Sequence, residues 1–271
     1  MLSKRLFTLT ALKSGGGNIQ RFVCGFEPWF IFFAVVVFVF DINSRNQDRL
    51  DREEDLALAE LDREEARIVS AWQLLTTKAP GNSGKIAAIE YLNKKRIQLV
   101  GIDLGVDEKD VGVFLERANL EDAVLVSANL SRAEMAHSNF RNARLAGANL
   151  SYTSSVGTDF HGASLVQANL SRSDLKDANF SESQVGAADF SRARLINANF
   201  RNADLTGADF GGADLKDANL AGSTINSTNF SRARLSGANF KGANITNGNF
   251  NDACDDAGDD KPINCRSLDL I

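Results

Sequence analysis

The most regular feature of this 271-residue chain is an apolar residue at every fifth position from Leu115 to Phe250. These 28 positions hold Leu, Phe, Ile, Val or Met, and Ser155 is the one exception. The residue two before each is Ala, Ser, Thr or Gly in 27 of 28 cases. A period of five fits neither an α-helix nor a flat strand, because successive apolar side chains would point in different directions. The pattern predicts a solenoid that turns a corner every five residues.

The strings ANLSR, ANFRNADLTGADF and ADLKDANL resemble the A(N/D)LxX consensus of the pentapeptide-repeat proteins, and the resemblance covers residues 111–253. It implies an all-β fold, a right-handed quadrilateral β-helix with four pentapeptides per coil and about seven coils. Together with the segments upstream, the chain is similar to bacterial membrane-bound pentapeptide-repeat proteins, for which the resemblance implies no reaction.

A second period of ten lies within the first. Apolar centres at positions ending in zero include nine Phe, and those ending in five include none. The residue before each ten-position centre is Asn or Asp in all fourteen cases, which hydrogen bonds to local backbone would explain without a ligand. Alternate units form opposite walls, so we expect rings from two walls to fill the axis. The predicted core comprises Phe140, Phe160, Phe180, Phe190, Phe200, Phe210, Phe230, Phe240, Phe250, Leu145, Leu165, Leu175, Leu195, Leu205, Leu215 and Leu235.

The repeat is irregular in SYTSSVGTDF, residues 151–160, where the buried centre is Ser155. A serine buried there must find a hydrogen-bond partner or a water molecule. One interpretation is a local bulge that turns Val156 inward, and the other is a surface feature marked by Tyr152 and His161. The bulge is the favoured interpretation.

The N-terminal part differs in character. After a basic segment, residues 1–21, the stretch 22–40 is apolar apart from Glu27 and predicts a transmembrane anchor over 22–42. A buried core segment and a cleaved signal peptide are alternatives, although no A-x-A site follows the stretch. Four basic residues precede it and three follow closely, which slightly favours a single-pass protein with its repeat domain on the extracytoplasmic side.

Residues 43–110 are predicted to form a helical stalk and an N-terminal cap. The region 44–78 lacks Gly and Pro, and it reads either as a solvated helix or as a coiled coil that forms a homodimer. Asn82 or Ser83 should cap a second helix that ends near Lys95. The residues expected to face the first coil are Ile86, Ile89, Leu92, Ile97 and Leu99.

Residues 254–271 are predicted to form a C-terminal cap, which is a second possible homodimer contact. If the repeat lies outside the cytoplasm, Cys254 and Cys265 can form a disulfide that pins this cap. If the repeat lies inside, both remain thiols.

Charge and composition narrow the function. The repeat holds 13 Lys+Arg and 14 Asp+Glu, and the whole chain has a net charge of −5 with two His and three Cys. We therefore expect no catalytic, cofactor or metal site and no binding to nucleic acid. The expected function is a membrane-tethered scaffold with two partners, the lipid bilayer and an unidentified protein. The alternative is a DNA mimic that inhibits or protects an enzyme such as gyrase, which the near-neutral repeat and the predicted anchor disfavour.

Overall fold

The computed structural model describes residues 28–77, 84–105 and 112–253. Its contacts divide the chain into two units, Met1–Glu64 and Glu65–Ile271. The regular elements are helices α1 (Pro28–Thr76) and α2 (Lys85–Lys94) and strands β1 (Thr224–Asn226) and β2 (Asn244–Thr246). The two strands are parallel, with Thr224 opposite Asn244. Most of the remaining repeat region is joined by single parallel β-bridges.

Helix α1 continues without interruption through residue 43, where the sequence predicted the anchor to give way to the stalk. Its one proline is Pro28, at the first helical position, where the missing N–H leaves no hydrogen bond unmade. Large apolar side chains from Phe32 to Phe40 are exposed. Within the described residues, no helix has both the length and the apolar character needed to cross a membrane. Residues 22–27 of the predicted anchor lie outside the described residues.

A repeating turn bends the chain in the region 112–253. In most units the N–H of the small residue donates to the carbonyl of the preceding apolar centre, as Ala118 does to Leu115 at 3.0 Å. The second of the two residues between them has a positive φ, which lies between 53° and 60° at the non-glycine corners of the repeat. This conformation closes a tight β-turn that points both flanking side chains inward. Each five-residue unit therefore consists of one short wall and one corner.

Parallel bridges join residues twenty positions apart, from Phe114 with Glu134 to Asn229 with Asn249. Twenty residues are four pentapeptide units, so each coil has four walls and stacks directly on the next. The predicted β-helix is thus confirmed. The ladder of backbone hydrogen bonds between coils begins before the sequence repeat does, because the N–H of Leu99 already donates to Val124 O at 2.8 Å.

Phenylalanine rings fill the axis from two opposed walls. Phe180 stacks on Phe200 with ring centroids 4.8 Å apart, and Phe190 stacks on Phe210 at the same distance. Rings of opposite walls meet edge to face, as Phe190 and Phe200 do at 5.7 Å and 87°. The structure places the predicted core residues inside the coils. Phe140, Phe160, Phe180, Phe190, Phe200, Phe210, Phe230, Leu145, Leu165, Leu175, Leu195, Leu205 and Leu215 are fully buried, Leu235 and Phe240 are 6% exposed, and Phe250 is partly buried.

The upstream helices cover the first coil. Ile89, Leu92 and Leu99 are fully buried, and Ile86 and Ile97 pack partly buried against the same core. Side chains of α2 also bind backbone of the first coil, because Asn93 donates to Glu121 O at 2.8 Å and Glu90 accepts from the N–H of Asn119 at 2.6 Å. The apolar end of the β-helix is therefore sealed and part of its exposed backbone is hydrogen-bonded. Helix α2 begins after Gly84, with φ of 82°, so the predicted cap by Asn82 or Ser83 is wrong.

The predicted bulge at residues 151–160 is also wrong. Ser154 bridges both Glu134 and Asp174, so the register continues through the segment. Ser155 stays in the core and its Oγ donates to Thr153 Oγ1 at 3.0 Å, while Val156 remains at a half-buried outward position. Thr153 in turn donates to Leu150 O at 3.0 Å. The wall keeps its shape because this chain of hydroxyl groups satisfies the buried serine.

Restoring the regular pair at this point should stabilise the β-helix. The double variant T153A/S155L replaces two buried hydroxyls by Ala and Leu, the pair found at the equivalent positions of the same wall with Leu195, Leu215 and Leu235. We expect the free energy of unfolding to rise by about 1–2 kcal/mol from added apolar burial. S155L alone should give a smaller gain, because Thr153 occupies part of the space. Denaturant unfolding of the three proteins measures this, and a double variant less stable than S155L would contradict it.

Candidate interaction surface

The Asn and Asp residues before the Phe centres are engaged in hydrogen bonds within the β-helix. Asn199 Oδ1 accepts the N–H of Arg201 at 3.1 Å, and Asn199 Nδ2 donates to Asn179 Oδ1 in the previous coil at 3.1 Å. The same pair of bonds recurs at Asn229, which donates to Asp209 at 2.7 Å. As the sequence predicted, these side chains bind local backbone. The bonds between coils, which no pattern had indicated, form a polar ladder from Asp159 to Asn239 on one wall and two shorter runs on the other. Both sets of hydrogen bonds stabilise the fold, so the outward Asn and Asp residues of two of the four walls serve mainly to hold the β-helix together.

The other two walls carry residues that the fold does not dictate. On one of them, which we call the variable wall, the outward residues are bridged in a single line and differ in every coil. Their side chains include apolar, basic, acidic and uncharged polar groups. They are Val124, Arg144, Ser164, Gln184, Asp204, Thr224 and Asn244.

The opposite wall carries both acidic and basic side chains, which partly neutralise one another; we call it the charged wall. Arg194 NH1 lies 3.2 Å from Asp174 Oδ2 in the previous coil, and Arg234 forms the same contact with Asp214 at 3.2 Å. These pairs are half exposed, so each contributes only about 0–1 kcal/mol to stability. Their main effect is on the surface potential, because each arginine cancels the charge of an aspartate.

One corner next to the charged wall carries a line of large side chains that is interrupted at Gly212, and we call this line the arginine column. Backbone bonds stack its members coil on coil, as when the N–H of Arg132 donates to Ser151 O at 2.9 Å. The Tyr152 ring lies between two guanidinium groups, 4.9 Å from that of Arg132 and 5.5 Å from that of Arg172. Arg172 NH1 also donates to Tyr152 Oη at 2.9 Å. The column comprises Arg132, Tyr152, Arg172, Arg192, Gly212 and Arg232.

Among the residues that the structure describes, the arrangement most similar to a catalytic one is at His161. Its Nδ1 lies 2.9 Å from Ser181 Oγ, and its Nε2 lies 3.9 Å from Glu182. A nucleophilic serine must give its proton to the histidine. Here Ser181 Oγ donates instead to Asn179 Oδ1 at 2.8 Å, which leaves His161 as the donor to the serine. The cluster therefore links two neighbouring coils by a hydrogen bond between side chains. Tyr152 and His161 lie at different corners of the coil, in different columns.

Within residues 28–77, 84–105 and 112–253, no group of three His, Cys, Asp or Glu is arranged to hold a metal ion. Cys254 and Cys265 lie outside the described residues, as does the predicted C-terminal cap.

Two protein-family models match the repeat region. The model for a pentapeptide repeat region matches residues 157–230, and the model for pentapeptide repeats (8 copies) matches residues 114–151 and 213–252. This chain belongs to the pentapeptide-repeat family. Membership implies the right-handed quadrilateral form of the β-helix that the twenty-residue ladder builds.

Solved structures of other pentapeptide-repeat proteins are similar to the chain. HetL, involved in heterocyst differentiation regulation in the cyanobacterium Nostoc sp. strain PCC 7120, is 28% identical over 54% of this chain and 76% of its own, with a TM-score of 0.25. Another Nostoc PCC 7120 member is 30% identical over 42% of this chain and 84% of its own, with a TM-score of 0.21. QnrB1, a plasmid-mediated fluoroquinolone resistance protein, is 20% identical over 57% and 84%, with a TM-score of 0.37. No curated protein matches the chain. At these TM-scores, the fold assignment depends on the contacts within the chain itself and on the family models.

Proposed function

We propose that this protein is a membrane-tethered, non-catalytic scaffold whose β-helix binds another protein through its variable wall. The observation that carries the proposal is the contrast between inward and outward positions. Inward positions repeat because the packing requires it, whereas the seven outward residues of the variable wall are all different. A fixed backbone that presents a non-repeating row of side chains about 4.8 Å apart is suited to recognising one particular protein surface.

The scaffold we propose has seven coils, because 28 pentapeptide centres at four per coil give that number. Two features support its stiffness as a binding platform. The ring stacks run through successive coils, and the interior side chains are fully buried along most of its length. A partner that binds such a wall loses little free energy to ordering the scaffold, since the wall is already in its bound shape.

The tether we propose is the apolar stretch 22–40. Its described part exposes a row of large apolar side chains, and Phe38 and Phe40 are 65% and 75% exposed. An exposed apolar segment of this size favours lipid as its surroundings. We place the β-helix on the extracytoplasmic side from the small excess of basic residues before the stretch. Homodimerisation through the helix 44–78 or the C-terminal end stays a prediction.

The alternative function, mimicry of DNA before an enzyme such as gyrase, needs a strongly acidic surface. The repeat carries 14 acidic and 13 basic residues. Asp174 and Asp214 are paired with arginines, and the arginine column adds positive charge to the adjacent corner. This charge distribution favours the scaffold over the mimic.

Site-directed photocrosslinking in living cells tests the proposal. A benzophenone amino acid in place of Gln184, on the variable wall, should give one discrete adduct with a second protein in the carbonate-washed membrane fraction. The matched control replaces Arg194, which has the equivalent place on the opposite wall, and should not give that adduct. Equal adducts from both walls, or none from Ser164, Gln184 and Thr224, would overturn the scaffold. Release of the full chain by carbonate would overturn only the tether, and inhibition of gyrase supercoiling by the purified protein would establish the alternative.

A further inference from the structure

The arginines of the arginine column form no ion pair with the other described residues, and the one described acidic residue in line with them is Asp252, below Arg232. None of the ion pairs within residues 28–77, 84–105 and 112–253 includes Arg132, Arg172, Arg192 or Arg232. Arg172, Arg192 and Arg232 are exposed, and the first of them is held by its bond to Tyr152. The column is thus an exposed, partly ordered line of guanidinium groups that fits a row of carboxylates.

We propose that the acidic start of the C-terminal segment, residues 255–260, docks on the arginine column of the same chain. This segment reads DDAGDD, so it carries four carboxylates within six residues and no basic residue. The chain enters it directly below the column. The N–H of Arg232 donates to Asn251 O at 2.9 Å, which places Asp252 at the next corner of the same column.

The length of the segment suits this path. Arg232, Arg192 and Arg172 lie one, three and four coils above residue 252, which corresponds to about 5, 14 and 19 Å. An extended segment from 254 to 260 spans up to about 23 Å. The nearest members of its two Asp pairs, Asp256 and Asp259, are three residues apart, about 10 Å when extended, and Arg192 and Arg232 are two coils apart, also about 10 Å. Each pair of carboxylates can therefore face one exposed arginine.

The energetics require that the contacts act together. An exposed ion pair is worth little by itself. The segment, however, is joined to the column through Ala253, so its effective concentration at the arginines is in the millimolar range or higher. Four carboxylates along one line then bind as a unit, and salt should weaken the contact strongly.

Zero-length carbodiimide crosslinking of the full chain tests this docking, because it joins a carboxylate to a lysine only at contact distance. The variant R192K keeps the positive charge of the column and supplies the amine. Mass spectrometry should find an amide between the amine that R192K introduces and one of Asp255, Asp256, Asp259 or Asp260. The matched variant R144K, on the variable wall at the far side of the coil, should give severalfold less. High salt should reduce the first amide to the level of the second.

Two further variants separate docking from chance encounters. In the R192K chain, R172E/R232E reverses the charge on both sides of the lysine and should lower the yield of the amide severalfold. The pair R117E/R201E, which changes two other corners, should leave the yield unchanged. A mixture of ¹⁵N-labelled and unlabelled chains should give amides only within one chain. Equal yields at 192 and 144, no response to R172E/R232E, or amides between chains would each overturn the proposal.

Discussion

Removing the N-terminal cap should convert the folded β-helix into a protein that self-associates through its open end or unfolds. A chain that begins at residue 112 loses Ile89, Leu92 and Leu99, which are fully buried against the first coil. It also loses two backbone hydrogen bonds to the first coil, from the N–H of Leu99 to Val124 O and from the N–H of Leu104 to Asn129 O, each at 2.8 Å. Three large buried side chains alone correspond to about 5–9 kcal/mol of apolar burial, which is comparable to the whole stability of many domains.

The control for this deletion is a chain that begins at residue 65, since the unit Glu65–Ile271 keeps both the end of α1 and all of α2. We expect it to sediment as a folded species, whereas the chain from 112 should aggregate or pair its open edge with a second copy. Analytical ultracentrifugation and circular dichroism report both properties. A monomeric, cooperatively folded protein from residue 112 would show that the helices do not serve as a cap.

Replacing Phe200 by alanine should lower the free energy of unfolding by about 3–5 kcal/mol. The ring is fully buried, stacks on Phe180 at 4.8 Å, and meets Phe190 and Phe210 edge to face at 5.7 and 5.5 Å. Its removal leaves a cavity bordered by three rings whose own positions are fixed by the coils, so little collapse can fill it.

The next residue supplies the control, because Arg201 is exposed on the corner outside the same coil. R201A should change the free energy of unfolding by less than about 0.5 kcal/mol. Urea unfolding of both variants gives the comparison. Similar losses for F200A and R201A would mean that the inward and outward positions have been assigned to the wrong faces.

Most of the β-helix could be predicted from the sequence, because its interior obeys a single geometric rule. An apolar side chain every fifth residue requires a corner every fifth residue, and the ten-residue alternation of Phe and Leu predicts which walls meet at the axis. Phe190 and Phe200, which belong to opposite walls, meet at the axis as that alternation predicts. The arginine column could also be predicted from the sequence, because residues twenty apart are vertical neighbours once four units form a coil.

Other features depended on information that the pattern does not carry. Periodicity shows where Ser155 points but not that Thr153 Oγ1 is close enough to accept its hydrogen bond, so the pattern alone favours a bulge. Helix propensity does not distinguish an apolar helix from a charged one, which is why α1 continues through residue 43 where the composition changes. The segment around Leu99 does not follow the five-residue pattern. Its backbone hydrogen bond to Val124 O forms because the backbone of the first coil offers unpaired acceptors.

The twenty-residue ladder also determines how the chain can change in length. The backbone bonds of each coil run to the coils immediately above and below it, so a whole coil can be gained or lost without altering the register of the others. A single inserted residue would instead rotate every later side chain by one place around the coil and carry apolar centres to the surface. The identical stretches SRARL at 191–195 and 231–235 lie two coils apart and present the same side chains at the same corner. Duplication in units of twenty is thus the route by which such a protein can grow while it keeps each face intact.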